Sequence, residues 1–313
     1  MASEDSNIEA IKQERCRPFI KWVGGKSQLL PELLKRIPRF SGRYVEPFLG
    51  GAALYFALKP TQSVLADINS ELINVFQVVQ SQVEELILDL GQHRYEKEYF
   101  YSIREIDRSS EYNNWTSVAR ASRLIYLNKS CFNGLYRVNS QGYFNTPFGR
   151  YTNPTILNAN NLRECNVALQ GADIRQSSFL DLEQSLTKND FVYFDPPYVP
   201  LSQTANFTSY ADGGFGIDMQ EALYQLCVRL NQKGVRFMLS NSSAPFVLER
   251  YQEFNLMRVS AKRAINSKAA LRGVKEITFT PSIPRFHFGS VRDDWNAVGE
   301  DMRKAMKQVS LGK

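Results

Sequence analysis

The feature that most constrains this chain is a short apolar run that stops at two prolines. Phe191-Val192-Tyr193-Phe194 are aromatic or β-branched, and Asp195-Pro196-Pro197-Tyr198 follow directly. Proline cannot donate the hydrogen bond that a sheet ladder requires, so the run predicts a buried strand that ends at residue 194. Ligands of α/β sheets bind beyond the carboxyl ends of the strands. The pattern therefore predicts a binding site at Asp195.

The four residues after this strand can hold a planar heterocycle that bears an amino group. The carboxylate of Asp195 and the carbonyl of Pro196 accept hydrogen bonds, and the ring of Tyr198 offers a flat apolar face. The alternative is a plain strand end followed by a proline turn, which is the commoner origin of an isolated Asp-Pro-Pro sequence. It is the neighbouring motifs that favour the binding site.

Two segments nearer the N-terminus predict a site for an adenosine-containing cofactor. Residues 44–54 indicate a strand, a glycine turn and a helix start, and residues 63–69 a second strand that ends in Asp67. Glycines let the backbone approach a ligand, and an acid about 20 residues later binds ribose hydroxyls. The glycine spacing does not fit G-x-G-x-x-G, so a dinucleotide is not favoured.

A glycine pair upstream adds an aromatic ring and a cation to this prediction. Trp22 precedes Gly24 and Gly25, and Lys26 follows them. The sequence Gly-Lys-Ser occurs here, but Ile20 stands where a phosphate loop requires its first glycine, which argues against an ATPase.

Between residues 93 and 169 the alternation of strands and helices stops. We predict helices at 99–106 and 118–127, and then a stretch at 128–151 that is rich in Gly, Asn and aromatic residues and typical of a loop or β-ribbon. Such side chains read base edges and contact unstacked bases. The rival interpretation is a hairpin whose aromatic rings pack only against its own core.

Two long windows without acidic residues indicate a polyanionic partner. They lie between Glu111 and Glu164 and between Glu253 and Glu276, and each contains six Lys or Arg residues. Such windows favour binding of a phosphate backbone over the alternative that the lysines and arginines are scattered and only solvated.

Composition argues against several other classes. No run of eighteen apolar residues exists, so no membrane span is expected, and the acidic, polar residues 1–14 do not resemble a signal peptide. The four cysteines are far apart and form no CxxC pair, and the only histidines are His93 and His287. We therefore expect a cytoplasmic protein without a zinc site or disulfides.

Helical or strand patterns elsewhere complete a predicted α/β domain. They indicate helices at 29–37, 70–90 and 219–230, and strands at 235–240 and 276–279.

With these segments assembled, the chain resembles the Dam-type DNA adenine-N6 methyltransferases over about residues 18–285. The resemblance is carried by residues 21–26, 45–50, 66–69, 128–139, 144–151 and 195–210, with the cofactor motifs first and the Asp-Pro-Pro-Tyr motif last. The chain departs from the family pattern at two places. Residues 49–52 vary the usual loop of small residues, and residues 266–270 lack the glycines expected in a late loop.

The resemblance implies a Rossmann-like α/β sheet of the S-adenosylmethionine-dependent kind, with an inserted DNA-recognition domain that is mainly helical plus a β-hairpin. The implied parts are an N-terminal tail at 1–17, a catalytic domain at 18–92 and 170–285, a target-recognition domain at 93–169 and a C-terminal tail at 286–313.

Carried over position by position, the resemblance also implies roles for single residues. Asp195, Pro196 and Tyr198 would be catalytic and would hold a flipped adenine. The residues that would border S-adenosylmethionine are Trp22, Lys26, Phe48, Asp67 and Asp195. Lys21, Arg137 and Tyr151 would contact the recognition sequence, and Phe132 with Asn133 would support the gap left by the extruded base.

The implied reaction is methyl transfer from S-adenosylmethionine to adenine N6 in double-stranded DNA, with GATC as the implied site. No metal, membrane or obligate protein partner is implied. The resemblance implies an enzyme that is encoded by a prokaryote or a phage. Two alternatives remain open. One is an amino-methyltransferase that acts on cytosine N4 or on RNA, and the other is a catalytically silent DNA-binding protein.

Overall fold

The computed structural model describes residues 16–199, 215–261 and 274–280. Within these ranges the α-helices and strands follow one another in the order α1 (Leu30–Leu34), β1 (Tyr44–Glu46), α2 (Ala53–Leu58), β2 (Ser63–Asp67), α3 (Ser70–Ser81), α4 (Val83–Leu90), α5 (Lys97–Glu105), α6 (Ser117–Ser130), α7 (Ala159–Leu169), β3 (Ala172–Gln176), β4 (Phe191–Phe194), α8 (Ile217–Gln232), β5 (Arg236–Ser242), α9 (Pro245–Arg250), β6 (Asn255–Ala261) and β7 (Val274–Thr280).

The strands in the described ranges form one seven-stranded sheet in the order β3-β2-β1-β4-β5-β7-β6. Strands β3, β2, β1, β4 and β5 pair in parallel, and β7 runs antiparallel between β5 and β6. Val45 of β1 is opposite Val64 on one side and Val192 on the other. The carboxyl ends of β2, β1 and β4 therefore meet at one edge of the sheet. This arrangement confirms the predicted α/β class.

Both faces of the sheet are covered, which explains why β4 has no polar residue. Phe191 and Tyr193 belong to the apolar core on one face, while Val192 and Phe194 belong to the core on the other. Successive side chains of a strand point to opposite faces, so a strand that is buried on both sides reads as a continuous apolar run.

Several predicted elements differ in extent from those observed. The helices predicted at 99–106, 118–127 and 219–230 are confirmed as α5, α6 and α8. The helical pattern at 70–90 is confirmed, but as two helices, because the backbone leaves the helical region at Gln82 (φ −140°, ψ 42°) and separates α3 from α4. Strand β6 was not predicted. Among the strands that the structure describes it pairs with β7 alone, and its mixed polar and apolar sequence is typical of an edge strand.

Helix α6 ties residues 93–169 to the rest of the chain. It packs against α3 and α4, and α7 packs against α3, so one apolar core runs through all four helices. Ser109 and Thr116 cap the short 3₁₀ turn Ser110–Asn114 and α6 at their N-termini. The limits of a separate recognition domain at residues 93 and 169 stay a prediction.

Half of the cations in the first acid-free window are used inside the fold. Arg120 pairs with Glu71, Arg123 pairs with Asp107 at 2.9 Å and Arg163 pairs with Glu84 at 2.6 Å. Their acidic partners lie outside the window, where a count along the sequence does not register them. The window therefore overstates the charge available to a polyanion. Most of the second window lies outside the described residues.

None of the helices described is long and apolar enough to cross a membrane. Over the same ranges, no group of three or more His, Cys, Asp or Glu side chains could hold a metal ion. All four cysteines are buried free thiols.

A buried aspartate ties the amino ends of β1 and β4 together. Asp190 accepts hydrogen bonds from the backbone N–H groups of Arg43 (2.8 Å) and Thr187 (2.9 Å), and the Arg43 guanidinium pairs with it at 3.0 Å. Burial raises the pKa of Asp190, but these hydrogen bonds and the Arg43 charge outweigh burial, and the net pKa is lowered.

We expect Asp190→Ala to reduce the free energy of unfolding by about 3 kcal/mol, because it removes the acceptor of the Arg43 and Thr187 N–H groups and leaves the Arg43 guanidinium without its partner carboxylate. A lowered folded-state pKa adds stability that is complete above the unfolded-state pKa of about 4 and is lost as the pH falls below it. The difference between wild type and variant in urea titrations should therefore shrink from pH 7 to pH 3. Asp173→Ala, which removes an exposed pair with Arg175 on β3, should cost less than about 1 kcal/mol. Equal losses in both variants would contradict the anchor role of Asp190.

Candidate active site

Three carboxyl groups lie at the carboxyl edge of the sheet. Glu46 ends β1, Asp67 ends β2 and Asp195 directly follows β4. Since these strands are parallel neighbours, their ends meet, and this edge is where such sheets bind ligands. Asp67 and Asp195 were predicted site residues, whereas Glu46 was not.

The buried ammonium of Lys26 partners Asp195. Its Nζ lies 2.7 Å from Asp195 Oδ1 and 4.6 Å from the centre of the Tyr198 ring, and it also donates to the carbonyl of Gly24. Lys26 is 3% exposed. Burial raises the pKa of Asp195, and the Lys26 charge opposes that rise. The predicted cation and the predicted carboxylate thus form one unit, with the aromatic ring beside it.

Glu46 is a site residue that the sequence analysis missed. It is buried, and it accepts a hydrogen bond of 2.9 Å from the hydroxyl of Tyr44. Burial raises the pKa of Glu46 well above its usual range, and the Asp195 carboxylate raises it further. The neutral acid is therefore favoured at Glu46, while Lys26 favours the carboxylate at Asp195. An acid at the end of an apolar strand, before Pro47, was the available signal.

Asp67 organises the glycine turn after β1. Its Oδ2 accepts a hydrogen bond of 3.3 Å from the N–H of Gly50, and its Oδ1 accepts one of 3.0 Å from that of Asn69. Burial raises the pKa of Asp67, and these backbone donors oppose it. Gly50 has φ +47°, and a Cβ there would lie 3.0 Å from Cδ1 of Trp22. The predicted residues Trp22 and Asp67 therefore contact the same glycine turn.

Phe48 belongs to an aromatic cluster beyond that turn. Its ring stacks on Phe179 with centroids 5.2 Å apart, and meets Phe215 edge-on at 5.4 Å. Sequence reasoning identified Phe48 but neither of its partners, which come from distant parts of the chain. Phe48 lies two residues after β1 and Phe179 three residues after β3, so the cluster lies near the carboxyl ends of those strands.

A buried amide joins the Lys21–Lys26 loop to the segment after α6. Oδ1 of Asn128 accepts a hydrogen bond from the N–H of Lys21 (2.8 Å), and its Nδ2 donates to the carbonyls of Lys21 (2.8 Å) and Gly134 (2.9 Å). Trp22 stacks on Tyr136 with centroids 5.1 Å apart. The loop that carries Lys26 is thus fixed to the segment that carries the predicted DNA contacts.

Four of the five predicted DNA contacts lie around this junction. Lys21 Nζ is 5.1 Å from the centre of the Tyr151 ring, and the Tyr151 hydroxyl donates to the Cys131 carbonyl at 3.1 Å. Phe132 and Asn133, in the next turn, are both exposed, and Asn133 has φ +56°. An exposed aromatic side chain at the tip of a strained turn is available to a partner.

Arg137 lies further along a short ribbon. Val138 and Phe144 form an isolated antiparallel bridge, and the N–H of Asn139 donates to the Tyr143 carbonyl at 2.9 Å. The exposed Arg137 donates from Nε to Asn145 Oδ1 at 2.6 Å. This ribbon confirms the predicted loop or hairpin.

The rival interpretation holds for one ring of the stretch. Phe144 is buried and meets Tyr136 of the same stretch edge-on at 5.9 Å, whereas Phe148 stacks on Tyr95, outside residues 128–151, with centroids 4.7 Å apart.

Comparisons with known proteins agree with this geometry. The sequence profile of one family, described as D12 class N6 adenine-specific DNA methyltransferase, matches residues 22–265. The chain is 43% identical over 280 residues to the type II methyltransferase M1.LlaDCHI of Lactococcus lactis subsp. cremoris, which covers 88% of this chain and 98% of that protein. It is 38% identical over 282 residues to the type II methyltransferase M.MjaIII of Methanocaldococcus jannaschii (83% and 97%). It is 32% identical over 264 residues to the DNA adenine methylase of Escherichia coli (83% and 92%).

We expect Lys26→Met to raise the pKa of Asp195 further, because burial then acts without the opposing charge. The carboxyl carbon-13 chemical shift of labelled aspartate, followed across pH, measures this directly, and Asp195→Asn assigns the signal. Lys35→Met is the matched control, since Lys35 is exposed and pairs with Glu32. A titration of Asp195 that stays the same in Lys26→Met would show that the ion pair does not set its protonation.

Proposed function

The chain belongs to the D12 class of N6 adenine-specific DNA methyltransferases, and we propose that its target is the adenine of GATC in duplex DNA, flipped out of the helix before reaction. The family activity is methylation of adenine N6 in DNA with S-adenosylmethionine as methyl donor. Membership decides against the cytosine, RNA and silent-scaffold alternatives. A cytoplasmic place of action, in a prokaryotic or phage-infected cell, suits this substrate.

The observation that carries the proposed roles is the unit of Asp195, Lys26 and Tyr198. Adenine N6 is a weak nucleophile because its lone pair is delocalised into the ring. Asp195 and the Pro196 carbonyl accept hydrogen bonds from the two amino protons, which localises the lone pair on N6 and orients it. Lys26, 2.7 Å from Asp195, favours the ionised form of this buried carboxyl, which accepts hydrogen bonds. The Tyr198 ring stacks on the base.

The side chains around the glycine turn fit the methyl donor. Asp67 suits a ribose diol, the Phe48 ring suits an adenine face, and Trp22 and Lys26 border the space between them. When bound, S-adenosylmethionine supplies an electrophilic methyl group on a sulfonium. The protein contributes position, exclusion of water and the charge of Asp195 and Lys26.

Residues 93–169 act in this proposal as the target-recognition part. Arg137 suits a guanine edge, and Lys21 and Tyr151 suit the neighbouring bases or phosphates. The exposed Phe132 and Asn133 support the gap in the duplex, which offsets part of the few kcal/mol that unstacking costs.

The first experiment supplies labelled S-adenosylmethionine and two duplexes, one with a single GATC and one with that site scrambled, followed by nucleoside analysis. We expect N6-methyladenine on the GATC duplex alone. Asp195→Ala should lower kcat at least about 100-fold, since it removes an acceptor aimed at the reacting amine, and should leave the Kd for DNA within a few-fold.

Equal methylation of both duplexes would overturn the GATC assignment and leave the activity in place. If Asp195→Ala keeps a tenth of the wild-type rate, Asp195 is not the acceptor for the amino group. Unchanged circular dichroism of the variant serves as the folding control.

We expect Arg137→Ala to lose about 1–3 kcal/mol of discrimination at one guanine of the site, since a bidentate guanine contact is worth that much. Ratios of kcat/KM across single-base variants of GATC measure the loss. Arg175→Ala, on strand β3 at the far edge of the sheet, should leave every ratio unchanged. A uniform loss across all duplexes would reassign Arg137 to phosphate binding.

A further inference from the structure

The backbone on both sides of Tyr198 is held by a buried polar network. Gln220 of α8 and Asn241 and Ser242 of β5 are at most 1% exposed, in a core whose other members are mostly apolar. We propose that these three side chains are positioning residues that fix the Tyr198 ring for its contact with the target base. This inference rests on the proposed role of Tyr198.

The peptide before Tyr198 is held from α8. Gln220 Nε2 donates to the carbonyl of Pro197 at 2.8 Å. The side-chain oxygen of Gln220, Oε1, in turn accepts a hydrogen bond of 3.1 Å from Asn241 Nδ2. The orientation of Gln220 is therefore fixed by β5, and its Nε2 is directed at the carbonyl of Pro197.

The peptide after Tyr198 is held from β5. Asn241 Oδ1 accepts a hydrogen bond of 3.3 Å from the N–H of Val199 and one of 2.8 Å from that of Ser242. The hydroxyl of Ser242 donates to the Val199 carbonyl at 2.6 Å. Both polar groups of Val199 are thus anchored to the carboxyl end of β5.

Anchors on both sides leave Tyr198 little backbone freedom. Pro196 and Pro197 restrict φ before it, and the network fixes the carbonyl of Pro197 and both polar groups of Val199. The three side chains satisfy the carbonyl of Pro197 and both polar groups of Val199, which couples the backbone beside Tyr198 to α8 and β5 and supports a positional role. Lys26 Nζ also lies 4.6 Å from the centre of the Tyr198 ring.

The chemical consequence concerns alignment between the base and Asp195. A ring displaced by about 1 Å leaves the stacked base misaligned with its hydrogen-bond acceptor, and such errors cost up to about 100-fold in rate. Gln220, Asn241 and Ser242 are not among the residues proposed to contact the cofactor or the duplex. Loss of the network should therefore lower kcat and leave KM for DNA nearly unchanged.

The test is a double-mutant cycle between Gln220→Leu and Tyr198→Ala in the full-length enzyme, with kcat and KM measured on the GATC duplex. We expect Gln220→Leu to lower kcat about tenfold or more in the wild-type background and less than about twofold in the Tyr198→Ala background. A merely structural contribution would persist in both backgrounds. Ser242→Ala, a smaller change, should lower kcat several-fold with the same dependence on Tyr198.

Gln80→Leu is the matched control. Gln80 Nε2 donates to the carbonyls of Leu169 and Ala172, both at 2.8 Å, remote from the sheet edge that carries the site. This variant should lose comparable stability in thermal unfolding and keep its kcat.

The outcomes separate the inference from the proposed function. A loss from Gln220→Leu that is equally large in both backgrounds overturns the positioning role. If Tyr198→Ala itself keeps full kcat, the proposed stacking role fails, and the inference fails with it. If Gln220→Leu does not fold, Ser242→Ala in the same two backgrounds decides the question.

Discussion

The pairing of Lys26 with Asp195 is the interaction on which the site depends. Both groups are largely removed from water, and a buried charge is tolerated only beside an opposite one. The pair requires the loop after Trp22 to reach the end of β4, although the two are far apart along the chain. The parallel sheet supplies the fixed edge, and Asn128 supplies the clamp that holds the loop there.

The same short loop serves two purposes. Lys21 at its start lies over Tyr151, among the residues proposed to contact DNA, and Lys26 at its end partners Asp195. Asn128 binds both backbone groups of Lys21 and also the carbonyl of Gly134, so the start of the loop cannot shift independently of the segment after α6. The proposed DNA contacts of Lys21 and Tyr151 and the ion pair of Lys26 with Asp195 are therefore linked through one short loop.

Sequence reasoning succeeded where a local pattern reports directly on structure. The two prolines predicted the end of β4 at Phe194, and the glycine turn predicted an acid at the end of the next strand, which is Asp67. It failed where the cause lies in distant contacts, as in the break between α3 and α4 at Gln82 or the edge strand β6. Gln220 carries no local signal at all, since its role arises only when α8 packs beside β5 and the chain passes over them. Glu46 did carry a local signal, an acid at the end of an apolar strand, but its burial follows from its position between two other strand ends, which the local sequence does not show.

The four buried cysteines give the molecule internal reporters of its own opening. Cys16, Cys131 and Cys165 lie in the core on one face of the sheet, and Cys227 lies in the core on the other. A thiol that is shielded from solvent reacts with an alkylating reagent only when its surroundings open. The labelling rate of Cys227 compared with that of the other three would therefore report whether the two layers loosen together or separately.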